Sequence, residues 1–421
     1  MDYSKFITKI SKKRKENFIR TLTGIYMQNP QSLFFAGGFP NADMFPFKEI
    51  SVTYGDGSQQ KLVDRDLFLS LQYGPSQGFS PLLKKWREFQ IKWHSPKYDN
   101  WDVQATTGSI EGCSKLFEML VEEGEPVMIQ SPIYTGILAM VKPMPIELIE
   151  IGMDDDGVLP SQIIKACEER RQKGKSGPNV LYVNPTGSNP VGNVYSHERK
   201  VEIYKLAQKY DFLIMEDDPY IFMHFLNKQP QSLLSMDVDG RVLRLDSFSK
   251  LMSSGLRLGM VTAPKPIIER LQLHVQSSTI HPSSLSQVLV SKLLETWSDE
   301  DVEAHISRIQ DFYKERRDEM LKVLYKHFAG IAEWSDPKGG MFVWLKVTVL
   351  DDVRDLVMKE CVPQGVLILP GHVFYQDETK PCQYVRLCYS QVSFEDMEKG
   401  LSKVAESIRK MAAEKKIRSK G

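Results

Sequence analysis

Arg241-Val242-Leu243-Arg244-Leu245-Asp246-Ser247-Phe248-Ser249-Lys250 is a strand-like apolar stretch that ends in two hydroxyls and an amine. Arg257 follows seven residues later, within Gly255-Leu256-Arg257-Leu258-Gly259. Hydroxyls and a guanidinium at a strand end suit a phosphate dianion, and the amine among them is placed to form a Schiff base. A lysine that ends a strand is more often simply solvated. The run alone leaves both readings open.

Working outward, short apolar stretches alternate with helical ones. Strands are expected over residues 103–107, 126–130, 180–183, 212–216, 242–246 and 258–263. Helices are expected over 110–122, 161–172, 196–210 and 267–276, with Ser196 as an N-cap. This alternation predicts an α/β fold with a mainly parallel sheet between helices. From 300 to 328 a long helical pattern carries Ile306, Ile309, Phe312 and Tyr313 at core spacing. After Gly339-Gly340 come strands at 341–347, 367–369 and 384–388, a change that predicts a smaller α+β domain. The expected division is 1–45 as an N-terminal arm and part of the small domain, 46–310 as the large domain, and 311–421 as the small C-terminal domain.

Composition narrows the function classes. Fifty-four basic and 54 acidic side chains cancel, which gives no reason to expect nucleic acid or an anionic membrane as a partner. No apolar run reaches the eighteen residues needed to span a bilayer. The five cysteines are scattered, odd in number and without a CxxC pair, which favours free thiols over a disulfide framework. His274 and His281 share a face if one helix holds both, but no metal site is expected. The basic N-terminus lacks a secretory apolar core, and Asp2 and Glu16 fit a transit peptide poorly; it reads as a solvated arm of a cytoplasmic or mitochondrial-matrix protein. The stretch from Lys399 to Gly421 reads as an amphipathic helix with a frayed end.

Ligands of parallel sheets bind at the carboxyl ends of strands. Three further runs fall there. Thr107-Gly108-Ser109-Ile110-Glu111-Gly112 turns from strand to helix, so its free N–H groups and the Ser109 hydroxyl suit a phosphate, although an ordinary loop also accounts for it. Asn184-Pro185-Thr186-Gly187-Ser188-Asn189-Pro190-Val191-Gly192 ends another strand and offers two competing asparagines, Asn184 and Asn189. Glu216-Asp217-Asp218-Pro219-Tyr220 ends a third. There one buried carboxylate could pair with a protonated ring nitrogen.

Asp217-x-x-Tyr220, followed about thirty residues later by Ser247-x-Ser249-Lys250 and then Arg257, resembles the fold-type I pyridoxal-phosphate enzymes of the aspartate aminotransferase superfamily. The chain is most similar to the kynurenine/α-aminoadipate aminotransferase group. That similarity extends to Phe35-Ala36-Gly37-Gly38-Phe39-Pro40-Asn41, Leu71-Gln72-Tyr73-Gly74-Pro75 and Gly371-His372-Val373-Phe374-Tyr375. The resemblance implies a large domain with a seven-stranded sheet, pyridoxal 5'-phosphate as cofactor, and a homodimer acting on amino acids and 2-oxo acids. It implies Lys250 as the Schiff-base lysine and proton shuttle, with Asp217 on the pyridine nitrogen. Asn189 and Tyr220 would bond the ring oxygen, which selects Asn189 over Asn184, and Tyr134 would stack on the ring. Ser109, Ile110, Ser247, Ser249 and Arg257 would hold the phosphate, joined by Tyr73 of the other subunit. Arg386 would clamp the substrate carboxylate, with Arg20 and Gly38 over its side chain.

Ile110 where relatives often have a polar residue, Phe39 for an aliphatic one and Val191 for a threonine depart from the pattern, and bear on substrate preference more than on the cofactor. The implied reaction moves an amino group from kynurenine, 2-aminoadipate or another aromatic or long-chain amino acid to a 2-oxo acid such as 2-oxoglutarate. The alternatives are a cysteine-conjugate β-lyase of the same fold, or an aromatic or branched-chain aminotransferase of broader specificity. A non-enzymatic regulator built on such a domain would carry a DNA-binding module ahead of it, and the roughly forty residues there are too few for a winged helix.

Overall fold

The computed structural model describes residues 1–29 and 31–418. The chain folds as two compact units, Met1–Glu122 with Leu234–Val302, and Glu123–Leu233 with the chain from Glu303 onward. Among the described residues the first unit holds a set of three paired strands and the second a set of five beside its antiparallel sheet, eight in all against the seven that the resemblance implied. The additional one is the two-residue Gly157–Val158, which folds back antiparallel onto Met153 and Asp154.

In the first unit Gly259–Pro264 is the central strand of three and runs antiparallel to both Trp101–Thr106 and Val242–Ser247. The register sets Gly259 opposite Thr106 on one side and Ser247 on the other, so three chain segments turn at the same edge. Helices Ser80–His94 and Ser284–Thr296 supply Leu82, Leu83, Trp86 and Val290 to a core shared with Val103, Ala105, Met260 and Phe248. Phe248 is the buried side chain of the short helix Phe248–Leu251 and lies 4.9 Å from the Trp86 ring. Burying a phenylalanine contributes about 2–3 kcal/mol, and here it anchors the backbone that carries Lys250.

The start of the chain is docked rather than solvated. Phe6, Thr8 and Ser11 are buried, Tyr3 donates to the Gly240 carbonyl at 2.9 Å, and the Thr8 amide donates to the Met119 carbonyl at 2.9 Å. The pattern missed this because isolated apolar residues in a basic run bury only against a surface the sequence does not display. His274 sits in helix Lys265–Gln276 and His281 lies beyond its end, so they share no helix.

In the second unit Leu213–Asp217, Val180–Val183, Pro126–Ser131 and Glu147–Asp154 run parallel. The first three are buried at every residue, as a sheet covered on both faces requires. Glu147–Asp154 was not expected as a strand, because Glu147, Glu150 and Asp154 interrupt its apolar pattern at a sheet margin. Ser196 caps helix His197–Tyr210 as read, accepting from the Arg199 amide at 3.2 Å. Further on, Ala332–Trp334, Phe342–Val347, Tyr384–Cys388 and Leu369–Pro370 form an antiparallel sheet. Helices Asp299–His327 and Phe394–Arg418 belong to the same part of the chain, and Leu324, Val404 and Ile408 share its core with Val343, Leu345 and Val385. Ile306 is buried and Ile309 and Tyr313 pack against this core, but Phe312 is 49% exposed, so the core stripe is narrower than the pattern implied. The final helix runs on to Arg418, through residues 415–418 where it was expected to dissolve, and residues 419–421 lie outside the described residues. No helix among the described residues is long and apolar enough to cross a membrane.

The docked arm carries a pH dependence. His274 is buried against Ser11, with Nε2 2.8 Å from Ser11 Oγ, and burial together with the Arg14 charge holds its pKa down to about 4. Its neutral form is therefore required in the fold, and unfolding restores an ordinary value near 6.5. Stability is fully present above that ordinary value and falls as pH drops from about 6.5 toward 4, by up to about 3 kcal/mol. Hydrogen exchange at the Thr8 amide should accelerate over this window in the wild type, and a His274→Gln variant should flatten the response. An equal pH response in both proteins would contradict the assignment.

Candidate active site

The edge shared by the three strands of the first unit brings together most of the phosphate residues read from the sequence. Thr106 leads into Gly108, whose backbone stands at φ +77°, and then into helix Ser109–Leu120. A Cβ on Gly108 would sit 2.5 Å from Arg257 Nη2, and one on Gly259 would sit 2.6 Å from both the Gly108 carbonyl carbon and the Ser109 nitrogen. Glycine at both positions lets backbone and guanidinium close into one cradle. The first amides of a twelve-residue helix, including that of Ile110, lack helical partners and carry the positive end of its dipole. Arg257 Nη1 donates to Ser249 Oγ at 3.3 Å and to the Ser254 carbonyl at 3.2 Å. Ser247 caps the short helix bearing Lys250, accepting from the Ser249 amide at 3.3 Å. Amides, hydroxyls and a guanidinium gathered at one strand edge fit a phosphate dianion.

A separate cluster of the same unit gathers the arm residues. The Arg20 guanidinium lies 5.5 Å from the Tyr73 ring centroid, and Phe39 lies 6.2 Å from Tyr73 and 5.5 Å from Phe34. Tyr26 stacks on Phe34 at 4.6 Å. Gly38 has open space where a Cβ would stand. Burial lowers the pKa of Arg20 without discharging it.

In the second unit the parallel strands end at Ser131, Val183 and Asp217, and just beyond each end stand Tyr134, Asn189 and Tyr220. Asp217 is buried and accepts at Oδ2 from the Tyr182 hydroxyl at 2.7 Å. A carboxylate in that setting, with a neutral donor beside it, fits a protonated heteroaromatic nitrogen. Arg386 Nη1 donates to Asn189 Oδ1 at 2.8 Å, while the Arg386 guanidinium lies 4.2 Å from the Phe342 ring centroid and 5.2 Å from that of Phe374. Rings on a guanidinium restrain it without neutralising it, which suits the recognition of an anion. Burial pushes the Tyr220 hydroxyl well above the ordinary tyrosine range, so it stays a neutral donor; Arg386 opposes this shift, and Asp217 and Tyr134 add to it.

Two residues escaped the sequence reading. A tyrosine hydroxyl inside the buried run Val180–Val183 must find a partner, and that necessity was the available signal for Tyr182. Asn184, set aside in favour of Asn189, donates through Nδ2 to the Asp217 carbonyl at 2.8 Å and accepts at Oδ1 from the Asn189 amide at 2.8 Å.

A family model described as aminotransferase class I and II matches residues 70–404. The mitochondrial kynurenine/alpha-aminoadipate aminotransferase of Bos taurus is 40% identical over 422 residues, covering 97% of this chain and 99% of the relative. The crystal structure of aminotransferase Aro8 from Candida albicans superposes with a TM-score of 0.88 at 25% identity, covering 98% of this chain and 99% of that one. A kynurenine aminotransferase from Pyrococcus horikoshii, solved in complex with PMP, KYN and KYA, gives a TM-score of 0.77 at 25% identity, covering 97% of this chain and 98% of that one.

Gly108→Ala tests the cradle. Its Cβ would displace the Arg257 guanidinium and strain a backbone angle that costs a non-glycine residue about 1–3 kcal/mol. Affinity for pyridoxal phosphate, measured by fluorescence titration of the apoprotein, should fall tenfold or more. An unchanged dissociation constant would remove Gly108 from the cradle.

Proposed function

Since the chain belongs to the class I and II aminotransferase family, we propose that it moves the amino group of kynurenine, 2-aminoadipate or another aromatic or long-chain amino acid to a 2-oxo acid such as 2-oxoglutarate. It is an aminotransferase, and its cofactor is pyridoxal 5'-phosphate. The observation that carries the substrate reading is the Arg386 guanidinium, aromatic-flanked and hydrogen-bonded to Asn189, which presents a restrained charge to an α-carboxylate. The aromatic set of Tyr26, Phe34, Phe39 and Tyr73 around Arg20 supports donors with aromatic or long side chains.

When bound, the cofactor supplies an electron sink for the electrons left at the substrate Cα. Lys250 binds the cofactor and its amine moves the proton at Cα, first as base and then as acid. Asp217 holds the ring nitrogen in its protonated form, and Tyr182 holds Asp217 in place. Tyr220 and Asn189 donate to the ring oxygen, and Tyr134 covers the ring face. Ser109, the Ile110 amide, Ser247, Ser249 and Arg257 hold the phosphate. Tyr73 serves the phosphate of the second protomer in a homodimer, and Arg20 with Gly38 closes over the substrate side chain. Arg386 holds the carboxylate and thereby fixes the direction of the Cα–H bond, a positioning effect worth several orders of magnitude in rate.

The reading also assigns residues 1–45, 46–310 and 311–421 to arm, large domain and small domain, and places the protein in mitochondrial matrix or cytosol. The Bos taurus relative is named as mitochondrial.

Initial rates with 2-oxoglutarate across a panel of amino acids test the function, with kynurenine and 2-aminoadipate expected among the accepted donors. Lys250→Ala should lower turnover at least a thousandfold. Arg386→Ala should raise KM for the amino acid while leaving cofactor bound. Failure of the wild type to use any amino acid, or full activity without Lys250, would overturn the proposal.

A further inference from the structure

We propose that Asn184 is a positioning residue that couples the substrate-carboxylate clamp to the carboxylate serving the cofactor ring, an inference that rests on the roles proposed above for Arg386, Asn189 and Asp217. Asn184 is 3% exposed, and both ends of its carboxamide are engaged. Oδ1 accepts from the backbone amide of Asn189 at 2.8 Å, and Nδ2 donates to the backbone carbonyl of Asp217 at 2.8 Å. Asn189 in turn accepts from Arg386 Nη1 at 2.8 Å. One planar amide thus spans the two groups whose separation sets where a substrate carboxylate lies relative to the ring.

A purely local role would require less. Closing the turn from 184 to 189 needs only an acceptor for the Asn189 amide, which aspartate or serine would supply. The second bond leaves the turn for a neighbouring parallel strand, where Val183 pairs with Glu216. An apolar residue here would leave an amide and a carbonyl buried without partners, a costly arrangement for a position with only a loop to close. The backbone of Asn184 is itself held, since its amide donates to Gln130 Oε1 at 2.5 Å and Gln130 Nε2 donates to Ser188 Oγ at 2.9 Å. The carboxamide is therefore fixed at its root as well as at both ends. Displacing it should move Asn189 with Arg386, and separately loosen the backbone of Asp217.

The bond to Asp217 can be cut in the holoenzyme with or without the bond to Asn189. Asn184→Ala removes both, whereas Asn184→Asp keeps an acceptor for the Asn189 amide and loses the donor to Asp217. Two readouts do not depend on turnover: the dissociation constant of a 2-methyl amino acid, which lacks the Cα proton, and the pH midpoint of the cofactor's visible absorbance. Asn184→Ala should weaken the 2-methyl amino acid about tenfold and move the midpoint by half a pH unit or more. Asn184→Asp should bind that ligand within threefold of wild type and still show the moved midpoint. If Asn184→Ala fails to fold, the same split in Asn184→Ser, which keeps an acceptor for the Asn189 amide and adds no charge, decides the question. Ligand affinity and midpoint at wild-type values in the variants that fold, with only a lowered melting temperature, would reduce Asn184 to a turn residue and overturn the inference. Wild-type turnover in the same preparation separates this failure from failure of the aminotransferase reading.

Discussion

The approach of Gly259 to the backbone of Gly108 and Ser109 is the constraint on which the proposed phosphate cradle rests. Even a methyl group at Gly259 would stand 2.6 Å from main-chain atoms, so strand and helix start can meet only if that position is bare. The contact fixes where helix Ser109–Leu120 begins, and therefore where its free amides point. The same register delivers Ser247 to that edge, two residues before Ser249 and three before Lys250. Arg257, two residues ahead of Gly259, is carried there as well. Phe248, buried against Trp86, keeps the intervening turn from moving.

In the second unit hydrogen bonding takes the place of close approach. Asp217, Tyr182, Asn184 and Asn189 are buried polar residues, and each partner group satisfies another. In a low-dielectric interior such bonds are stronger and their absence is costlier, so the chain of contacts has few alternative arrangements. Arg386 ends the chain between two aromatic rings, held by Asn189 and still charged. Tyr220, kept neutral by burial, brings no competing negative charge beside Asp217.

Much of this was legible along the chain, for reasons particular to each element. The fully buried strands stood out as unbroken apolar runs, and Ser196 announced its helix through capping chemistry. Glu147–Asp154 did not stand out, because a strand at the sheet margin can carry charge. The docking of Phe6 and Ser11 was hidden, since burial of isolated residues depends on the surface they meet. Phe312 read as core because helical spacing tells which residues share a face, not how wide a stripe the neighbours cover. Asn184 looked like a decoy because sequence separation carries no information about Asp217, 33 positions away, lying on the adjoining strand.

By itself the sequence determined the alternation of strands and helices, the family, and the residue types able to hold a phosphate, a ring nitrogen and a carboxylate. Those properties reside in local patterns: period, capping and short motifs with fixed spacing. Only the tertiary structure decided which of these groups meet. It aligned Thr106, Ser247 and Gly259 at one edge, tied Asn189 to Arg386, and made Asn184 a bridge between Asn189 and Asp217. The physical reason is that strand register and buried hydrogen bonding are set by partners distant in the chain, which no local pattern encodes.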